Sequence, residues 1–287
     1  MKRFILGAAS LLMAFSANAQ DLPQNSPIGE FSQRIGLTDV SAKYSRPSMK
    51  GRTIFGELVP YNEMWRTGAN ANTTITFSTA VNIGGKNLAG GTYSLFVIPT
   101  EDEWTLVFNT KTDHWGTGGY SEENDALRIT AKTSAVASTE SFTIAVNDLV
   151  KNSGNLVLSW DKTSASVPVK VQVAQMAQSN IEKAIETGKD EELWRVYRNS
   201  ASYYYNNKIE LEQALEYMKL SINKKEDSWY SYWLKAEIEA ELKMYKDARK
   251  TAKVAFDMGT EAAVAKETEF GYGPMISEAI EKWKGMK

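Results

Sequence analysis

The pattern of hydrophobic residues changes its period near Val173, and this change constrains the fold more than any other feature of the chain. Before it, short stretches such as residues 73–83 alternate apolar and polar side chains, which is typical of β strands with one buried face. After it, the chain is rich in Ala, Glu, Lys and Leu and nearly free of proline before Pro274, which favours helix. The sequence therefore predicts an all-β domain at residues 25–173 and an all-α domain at residues 174–287.

The β domain is predicted to contain many short strands separated by glycine-marked or polar turns. The expected strands cover residues 37–44, 73–83, 93–98, 104–108, 126–132, 141–147, 155–161 and 166–173. Because most of the intervening stretches are too short for a crossover helix, we expect the strands to pair mainly antiparallel. This organisation is typical of a β-sandwich or a jelly-roll-like barrel.

The helical domain contains an internal repeat. Ala214 recurs as Ala248, at the spacing of about 34 residues that marks tetratricopeptide repeats. In this register, small residues that allow close helix packing are Ser202, Ala214 and Ser221 in one unit and Ala236, Ala248 and Ala255 in the next. We therefore expect a helix at about 176–188, tetratricopeptide-like helical hairpins at about 195–228 and 229–262, and a capping helix at 274–284.

Residues 1–19 have the features of a secretory signal peptide. Lys2 and Arg3 precede a short apolar run that ends in the small residues Ala17 to Ala19, and the run is too short for a membrane span. We expect export to the periplasm, with the outer surface or secretion as alternatives, and no transmembrane segment in the mature chain. The absence of cysteine excludes disulfides and a lipoprotein anchor.

Composition and motifs narrow the function classes. The chain has 33 basic and 35 acidic residues, so the basic excess of a nucleic-acid-binding surface is missing. A single histidine and no cysteine exclude a multi-histidine or cysteine metal site, and we expect no metal and no cofactor. No phosphate loop, nucleophile elbow or dinucleotide fingerprint is present, so the sequence favours a non-enzymatic role without deciding the question.

Residues 44–74 form a long connection between two predicted strands and are rich in cations, aromatic rings and amides. Arginine binds carboxylate or phosphate through paired hydrogen bonds, and aromatic faces suit sugar rings. The candidate ligand-binding residues come from this connection and from a later glycine-rich loop: Arg46, Lys50, Arg52, Tyr61, Trp65, Arg66, Asn70, His114 and Trp115. The alternative is that these side chains serve the scaffold, with arginines capping carbonyls or pairing with Glu57 and Glu63.

Several loop residues also leave a catalytic role open. His114 follows Asp113, so it is a candidate general base or an ordinary turn residue. The acidic residues in or near loops could form a glycosidase-like pair: Glu57, Glu63, Asp113, Glu122, Glu123 and Asp125. The alternative function is therefore a periplasmic hydrolase acting on a glycan or an anionic ester, with loop arginines stabilising charge.

Two irregular motifs in the long connection carry a resemblance. They are S-R-P-S-x-K-G-R-x-I-F-G-x-L-V-P-Y from Ser45 and W-R-T-G-A-N-x-x-T-T-I-T-F from Trp65, followed by G-G-T-Y-S-L-F-V-I-P and E-W-T-L-V-F-N. Over residues 25–173 the chain resembles a bacterial family described as a domain of unknown function (DUF2911). The resemblance implies an exported β domain, often followed by helical repeats, and it implies no activity.

Two aromatic clusters in the helical domain contain more consecutive rings than one buried helix face can hold. Some of these rings should therefore reach a groove or the surface, and the candidate protein-interaction residues are Tyr204, Tyr205, Trp229 and Trp233. The sequence thus favours an exported envelope protein that binds a glycan or small anion on the β domain and an unknown protein through the helical repeats. A purely structural envelope protein is a third hypothesis.

Overall fold

The computed structural model describes residues 22–286, and the chain divides into two compact units, with the boundary between Gln172 and Val173. The first unit is built from strands and the second from helices. The predicted signal peptide at residues 1–19 lies outside the described residues. Within residues 22–286, no helix combines the length and the apolar character that a bilayer crossing requires.

The β unit forms a large antiparallel sheet, which confirms the predicted pairing. In the described part of the chain, nine strands hydrogen-bond in the order β1-β2-β3-β6-β7-β8-β9-β4-β5. They are β1 (Ile28–Ile35), β2 (Thr38–Ser45), β3 (Thr74–Phe77), β4 (Val81–Ile83), β5 (Lys86–Leu88), β6 (Gly91–Pro99), β7 (Glu103–Asn109), β8 (Asp125–Val150) and β9 (Ser153–Val171). Regular alternation of buried and partly exposed side chains along β2 and β9 directs one face of these strands into the core.

The strand boundaries differ from the predicted ones in two places. The expected single strand at 73–83 is divided at residues 78–80, because β3 pairs with β2 and β6 whereas β4 pairs with β5 and β9. Conversely, the strands expected at 126–132 and 141–147 belong to one long strand, β8, whose register with β9 shifts on either side of Thr139. Such shifts are β-bulges, which let a strand bend while it stays paired.

A cluster of rings fills the core below the long connection between β2 and β3. Trp104, Phe142 and Trp160 are almost completely buried, and Phe55 and Trp65 from the connection pack against them. We call these five residues the aromatic cluster. The Trp65 backbone exchanges hydrogen bonds with Val97 in β6, with N···O distances of 2.7 and 3.0 Å. The connection, residues 46–73, is therefore anchored to the sheet, and we call it the cationic loop.

The second unit is helical, as predicted. Among the described residues it has six helices: α1 (Val173–Thr187), α2 (Leu193–Asn207), α3 (Leu211–Lys224), α4 (Trp229–Glu241), α5 (Tyr245–Val264) and α6 (Gly273–Lys284). Helix α2 packs against α3, and α4 packs against α5. Four of the small residues singled out in the sequence are completely buried, namely Ala214, Ala236, Ala248 and Ala255. Ser202 is half-buried, and the neighbouring Ala201 is completely buried instead.

Candidate functional site

The two loops that carry the predicted ligand-binding residues lie side by side on the β unit. The backbone N–H of Asn72, near the end of the cationic loop, donates to the carbonyl of His114 at 3.2 Å. Ala71 and Trp115 form an isolated antiparallel bridge next to this bond. The glycine-rich loop, residues 110–121, is thus held against the cationic loop, and two pockets open beside this junction.

The first pocket has a volume of about 330 Å³ and contains two arginines. Arg52, Arg66, Asn70 and the edge of Trp65 line it together with the apolar side chain of Leu58. We call it the arginine pocket. Its volume lies at the lower end of the range of small-molecule sites, about 300–1,000 Å³. The pocket combines cationic groups, an aromatic edge and an apolar wall.

The guanidinium of Arg66 is positioned by close backbone contact. Its Nη1 donates to the carbonyl of Asn70 at 3.0 Å, and the guanidinium lies against Gly116. Gly116 has a φ of +78°, and a Cβ there would lie 3.1 Å from the Arg66 Cζ. Glycine is therefore favoured at this position for two reasons, the left-handed backbone and the contact. Within residues 22–286, Nε and Nη2 of Arg66 have no hydrogen-bond partner.

Arg52 is exposed and is held by its own turn. Its Nε donates to the Met49 carbonyl at 2.9 Å and its Nη2 to the Ser48 carbonyl at 2.5 Å, which leaves Nη1 unengaged within the described chain. No described carboxylate forms a salt bridge with Arg52 or Arg66, and the alternative pairing with Glu57 and Glu63 is not observed. The arginine pocket therefore carries positive charge that no described acidic group neutralises.

The second pocket has a volume of about 400 Å³ and lies beside Trp115, whose side chain is 72% exposed. Lys43, Tyr44 and Thr112 line it, and Asn70 lines both this pocket and the arginine pocket. We call it the tryptophan pocket. An exposed indole beside amide, hydroxyl and ammonium groups provides a flat apolar face together with hydrogen-bonding partners.

Four of the predicted ligand-binding residues line neither pocket: Arg46, Lys50, Tyr61 and His114. Arg46 donates through Nε to the Phe142 carbonyl at 3.1 Å and through Nη2 to the Thr143 hydroxyl at 2.8 Å, so it fastens the cationic loop to β8. Lys50 is exposed, and it is its backbone N–H that binds Glu140, at 2.9 Å. The Arg46 bond to the Phe142 carbonyl is a scaffold contact of the kind that the alternative interpretation expected.

Tyr61 and His114 also face protein. The Tyr61 ring lies against Gly56. The imidazole of His114 lies 5.9 Å from the Phe96 ring, and its Nε2 is buried without a hydrogen-bond partner in the described chain. A buried ring nitrogen does not reach a substrate in this conformation, so the geometry does not favour His114 as a general base.

A comparison with protein-family models gives a match over residues 26–169, to the family described as "Protein of unknown function (DUF2911)". The chain belongs to the DUF2911 family. The resemblance predicted from the sequence is thereby confirmed for the β unit, and the DUF2911 match includes Arg52, Arg66 and Trp115. No curated protein matches the chain in a sequence comparison.

The DUF2911 unit also contains a polar network that sequence reasoning did not identify. Asp125, one of the candidate catalytic acids, receives hydrogen bonds from Asn109 at 2.8 Å, Tyr120 at 2.7 Å and Arg128 at 2.7 Å. Its side chain is 8% exposed. Burial raises the pKa of Tyr120, and the bond to Asp125 raises the pKa of Arg128. Asp125 therefore holds the end of the glycine-rich loop, and its contacts leave it poorly placed for proton transfer.

Outside the DUF2911 match, the candidate protein-interaction residues have different environments. Tyr204 and Trp233 belong to the two helical cores and are 5% and 4% exposed. Trp229 is partly buried against Phe270, with ring centroids 4.9 Å apart. Tyr205 is half-buried and lines an open pocket that also reaches the edge of Trp233.

Sequence reasoning missed most of the residues that line the tryptophan pocket, among them Lys43 and Thr112. Lys43 lies in β2, and Thr112 lies in the glycine-rich loop. Only the fold brings this strand and this loop together, so the spacing of the two residues in the sequence carried no signal for a shared pocket.

Proposed function

We propose that the β unit binds a small organic anion in the arginine pocket. The observation that carries this proposal is the pair of guanidinium groups, Arg52 and Arg66, which line one pocket without an acidic partner among the described residues. Guanidinium groups with free N–H bonds bind carboxylate or phosphate oxygens through charge-assisted hydrogen bonds. The fixed position of Arg66 on Gly116 lowers the entropic cost of that binding, because the group is already oriented.

The adjacent tryptophan pocket suggests that the anion is attached to a sugar. Asn70 borders both pockets, so a ligand with its charge near Arg66 can extend past Asn70 toward Trp115. Stacking on an exposed indole and hydrogen bonds from amide and hydroxyl groups are common means of holding a saccharide ring. An acidic saccharide is therefore the ligand class that we propose.

Thermal unfolding with added ligands tests this proposal. We expect glucuronate and glucose 6-phosphate to raise the melting temperature of the full-length protein, because a ligand that binds only the folded state stabilises it. Glucose is the matched neutral control and should give a smaller shift. If neither anion raises the melting temperature more than glucose at equal ionic strength, the proposed anion site is wrong.

The hydrolase alternative has weaker support from the geometry. Nε2 of His114 is buried, and Asp125 is engaged by three donors in the described chain. Glu57 and Glu63 are exposed, but no geometric relation singles them out as a catalytic pair. Turnover of an acidic glycoside or ester by the purified protein, lost in an Arg66→Gln variant, would restore this alternative. We propose binding without catalysis.

We further propose that the helical unit has a tetratricopeptide-like arrangement. We also propose that the β unit has a sandwich or jelly-roll-like arrangement. Finally, we propose that the protein is exported to the periplasm. Support for the first comes from the completely buried Ala214 and Ala248, which recur at the repeat spacing, and from the packing of α2 on α3 and of α4 on α5. Support for the second comes from the aromatic cluster, which joins the cationic loop to β7, β8 and β9. The signal-like residues 1–19 support export.

We propose that the helical unit contacts a partner protein, since Tyr205 and Trp233 line one open pocket and the neighbouring Met275 is 44% exposed. A photo-reactive amino acid placed at Met275 in the full-length chain tests this role. We expect a discrete cross-linked partner that mass spectrometry identifies, and none from the same group placed at the exposed Glu216 on α3. Equal cross-linking from both positions, or none, would remove the proposed role.

A further inference from the structure

Side chains from α2, α4, α5 and α6 line a pocket of about 400 Å³ in the helical unit. Tyr205, Trp233, Tyr245 and Trp283 provide aromatic walls, and the indoles of Trp233 and Trp283 are stacked with their centroids 6.0 Å apart. Glu237 and Glu241 of α4 contribute carboxyl groups to the same pocket, and Lys282 of α6 also lines it. We call this the glutamate pocket.

Glu237 lacks the partners that a half-buried carboxyl group normally has. In the described chain it makes neither a hydrogen bond nor an ion pair. Lys208 exerts a favourable charge effect on it, but the Lys208 ammonium is bound to Glu241 at 2.6 Å. Burial raises the pKa of Glu237 to about 7, because the loss of solvent is not compensated by a bound cation.

Glu239, which lies in the same helix as Glu237, has a different environment. Glu239 is 3% exposed, and the ammonium of Lys235 lies 2.5 Å from its Oε1. Two residues along an α-helix correspond to a rotation of about 200°, so Glu237 and Glu239 lie on opposite sides of α4. Oε1 of Glu239 is thus paired with a lysine of the chain, although its Oε2 is buried without a hydrogen-bond partner in the described chain, whereas Glu237 forms no ion pair there.

We propose that the glutamate pocket binds the cationic side chain of a lysine or arginine in a partner peptide. This inference rests on the proposed protein-binding role of the helical unit and specifies the chemistry of its partner. An incoming cation would pair with Glu237 and lie against the ring of Trp283, whose face attracts cations; the Tyr205 ring already holds the Lys208 ammonium, 4.3 Å from its centroid. Met275 and Met286, both exposed at the pocket border, offer flexible apolar surface to the residues that flank the cation.

Fluorescence anisotropy with labelled peptides tests this inference on the full-length protein. The probes are two pools of end-blocked pentapeptides with the same mixed flanking residues, one with a central lysine and one with a central glutamate. We expect the lysine pool to bind at least about tenfold more tightly than the glutamate pool, because one well-formed charged contact changes an affinity by about that factor. Glu237→Gln should reduce lysine-pool binding by about tenfold.

The control variant is Glu216→Gln, which makes the same substitution at an exposed carboxylate of α3 outside the pocket. It should leave the affinity within about twofold of the original. Equal affinity for the two pools, or unchanged binding in Glu237→Gln, would overturn the inference. So would competition by n-butylamine as strong as that of the lysine peptides, because the occupant would then be a free amine. If cross-linking from Met275 persists while the peptide assay fails, the protein-binding role stands and only the basic-peptide inference falls.

Discussion

At the residue scale, the two tryptophans predicted to hold a ligand have opposite environments. Trp65 stacks on Trp160 with ring centroids 5.9 Å apart and contacts Phe142 at 4.9 Å, so most of its surface serves the aromatic cluster. Trp115 is 72% exposed beside the tryptophan pocket. The sequence around each tryptophan is irregular, so it does not distinguish their environments. The Trp65 indole faces the aromatic cluster, whereas the Trp115 indole faces solvent.

We therefore expect Trp65→Ala and Trp115→Ala to differ in stability. Removing the Trp65 side chain leaves a cavity among rings and should lower the free energy of unfolding by about 2–4 kcal/mol. Removing the exposed Trp115 side chain should change it by less than about 0.5 kcal/mol. Chemical denaturation of both variants measures the difference. Similar losses in the two variants would contradict the assignment of Trp65 to the core.

Gly116 allows a test of how Arg66 is positioned. An added Cβ would lie 3.1 Å from the Arg66 Cζ, and we expect Gly116→Ala to displace the guanidinium and to weaken glucuronate binding by about tenfold. Gly85→Ala is the matched control, because Gly85 has a φ of +89° and nothing lies within 4 Å of its added Cβ. Both variants should lose about 1 kcal/mol of stability from backbone strain. Equal glucuronate affinity in both would show that the Gly116 contact does not orient Arg66.

At the element scale, β2 is joined to β8 by a buried tyrosine. The Tyr44 hydroxyl accepts a hydrogen bond from the Ile144 N–H at 3.0 Å and lies 3.3 Å from the Ile144 carbonyl, to which it donates. Arg46 binds the neighbouring Phe142 and Thr143. Tyr44 at the end of β2 and Arg46 at the start of the cationic loop thus fasten this part of the chain to β8, which gives the beginning of the long loop a defined course.

We expect Tyr44→Phe to lower the free energy of unfolding by about 1–3 kcal/mol, because it leaves the backbone groups of Ile144 without partners in a buried place. Tyr61→Phe is the control, since the described chain offers the Tyr61 hydroxyl no hydrogen bond. Urea denaturation of both variants provides the comparison. A loss in Tyr61→Phe as large as in Tyr44→Phe would show that the hydroxyl of Tyr44 contributes nothing specific.

The elements also show which parts of the fold the sequence could predict. The helices could be predicted because the chain after Val173 is rich in Ala, Glu, Lys and Leu and nearly free of proline before Pro274. Strand β1 could not, because its large apolar residues Ile28, Phe31 and Ile35 do not recur every second residue, although burial alternates along this edge strand. The continuity of β8 was missed because residues 133–140 are small or polar apart from the exposed Val136, and pairing with β9 rather than side-chain burial keeps them extended.

The sequence could predict which loop carries the candidate site, but not how the side chains of that site are arranged in space. The composition of the cationic loop indicated arginines that bind anions, and it indicated equally well arginines that bind carbonyls. Arg46 took the second role, because it follows β2 directly and lies against β8, whereas Arg66 meets the glycine-rich loop and keeps free N–H groups. That loop is close only in the folded chain, so sequence spacing carried no signal for it.

At the scale of the whole molecule, the stability should depend on pH through Glu237. Burial raises the pKa of Glu237 to about 7, above its ordinary value of 4.5, so the folded state holds a proton that the unfolded state releases. Between these values, stability falls as the pH rises. Lys208 lowers the pKa of the same carboxyl group but does not offset the effect of burial, and Lys282 lines the same pocket without forming an ion pair with Glu237 in the described chain.

We expect the wild-type protein to lose more stability than Glu237→Gln when the pH is raised from about 5 to about 8, because glutamine cannot ionise. Thermal unfolding of both proteins at the two pH values measures this difference. Parallel pH dependence in the two proteins would show that the Glu237 carboxyl group titrates as it does in the unfolded chain.

The central claim is that Arg52 and Arg66 together bind an anion, and a glucuronate titration followed by NMR signals of the tryptophan indoles tests it most directly. We expect glucuronate to shift the indole signals of Trp65 and Trp115. We also expect Arg52→Gln and Arg66→Gln each to weaken the affinity for glucuronate by about tenfold, because each variant loses one charge-assisted hydrogen bond. Arg34→Gln is the control, because Arg34 pairs with Asp39 near the end of β1, about 20 Å along the strand from Ile28. Equal weakening in all three variants, or no shift of either indole signal, would contradict the claim.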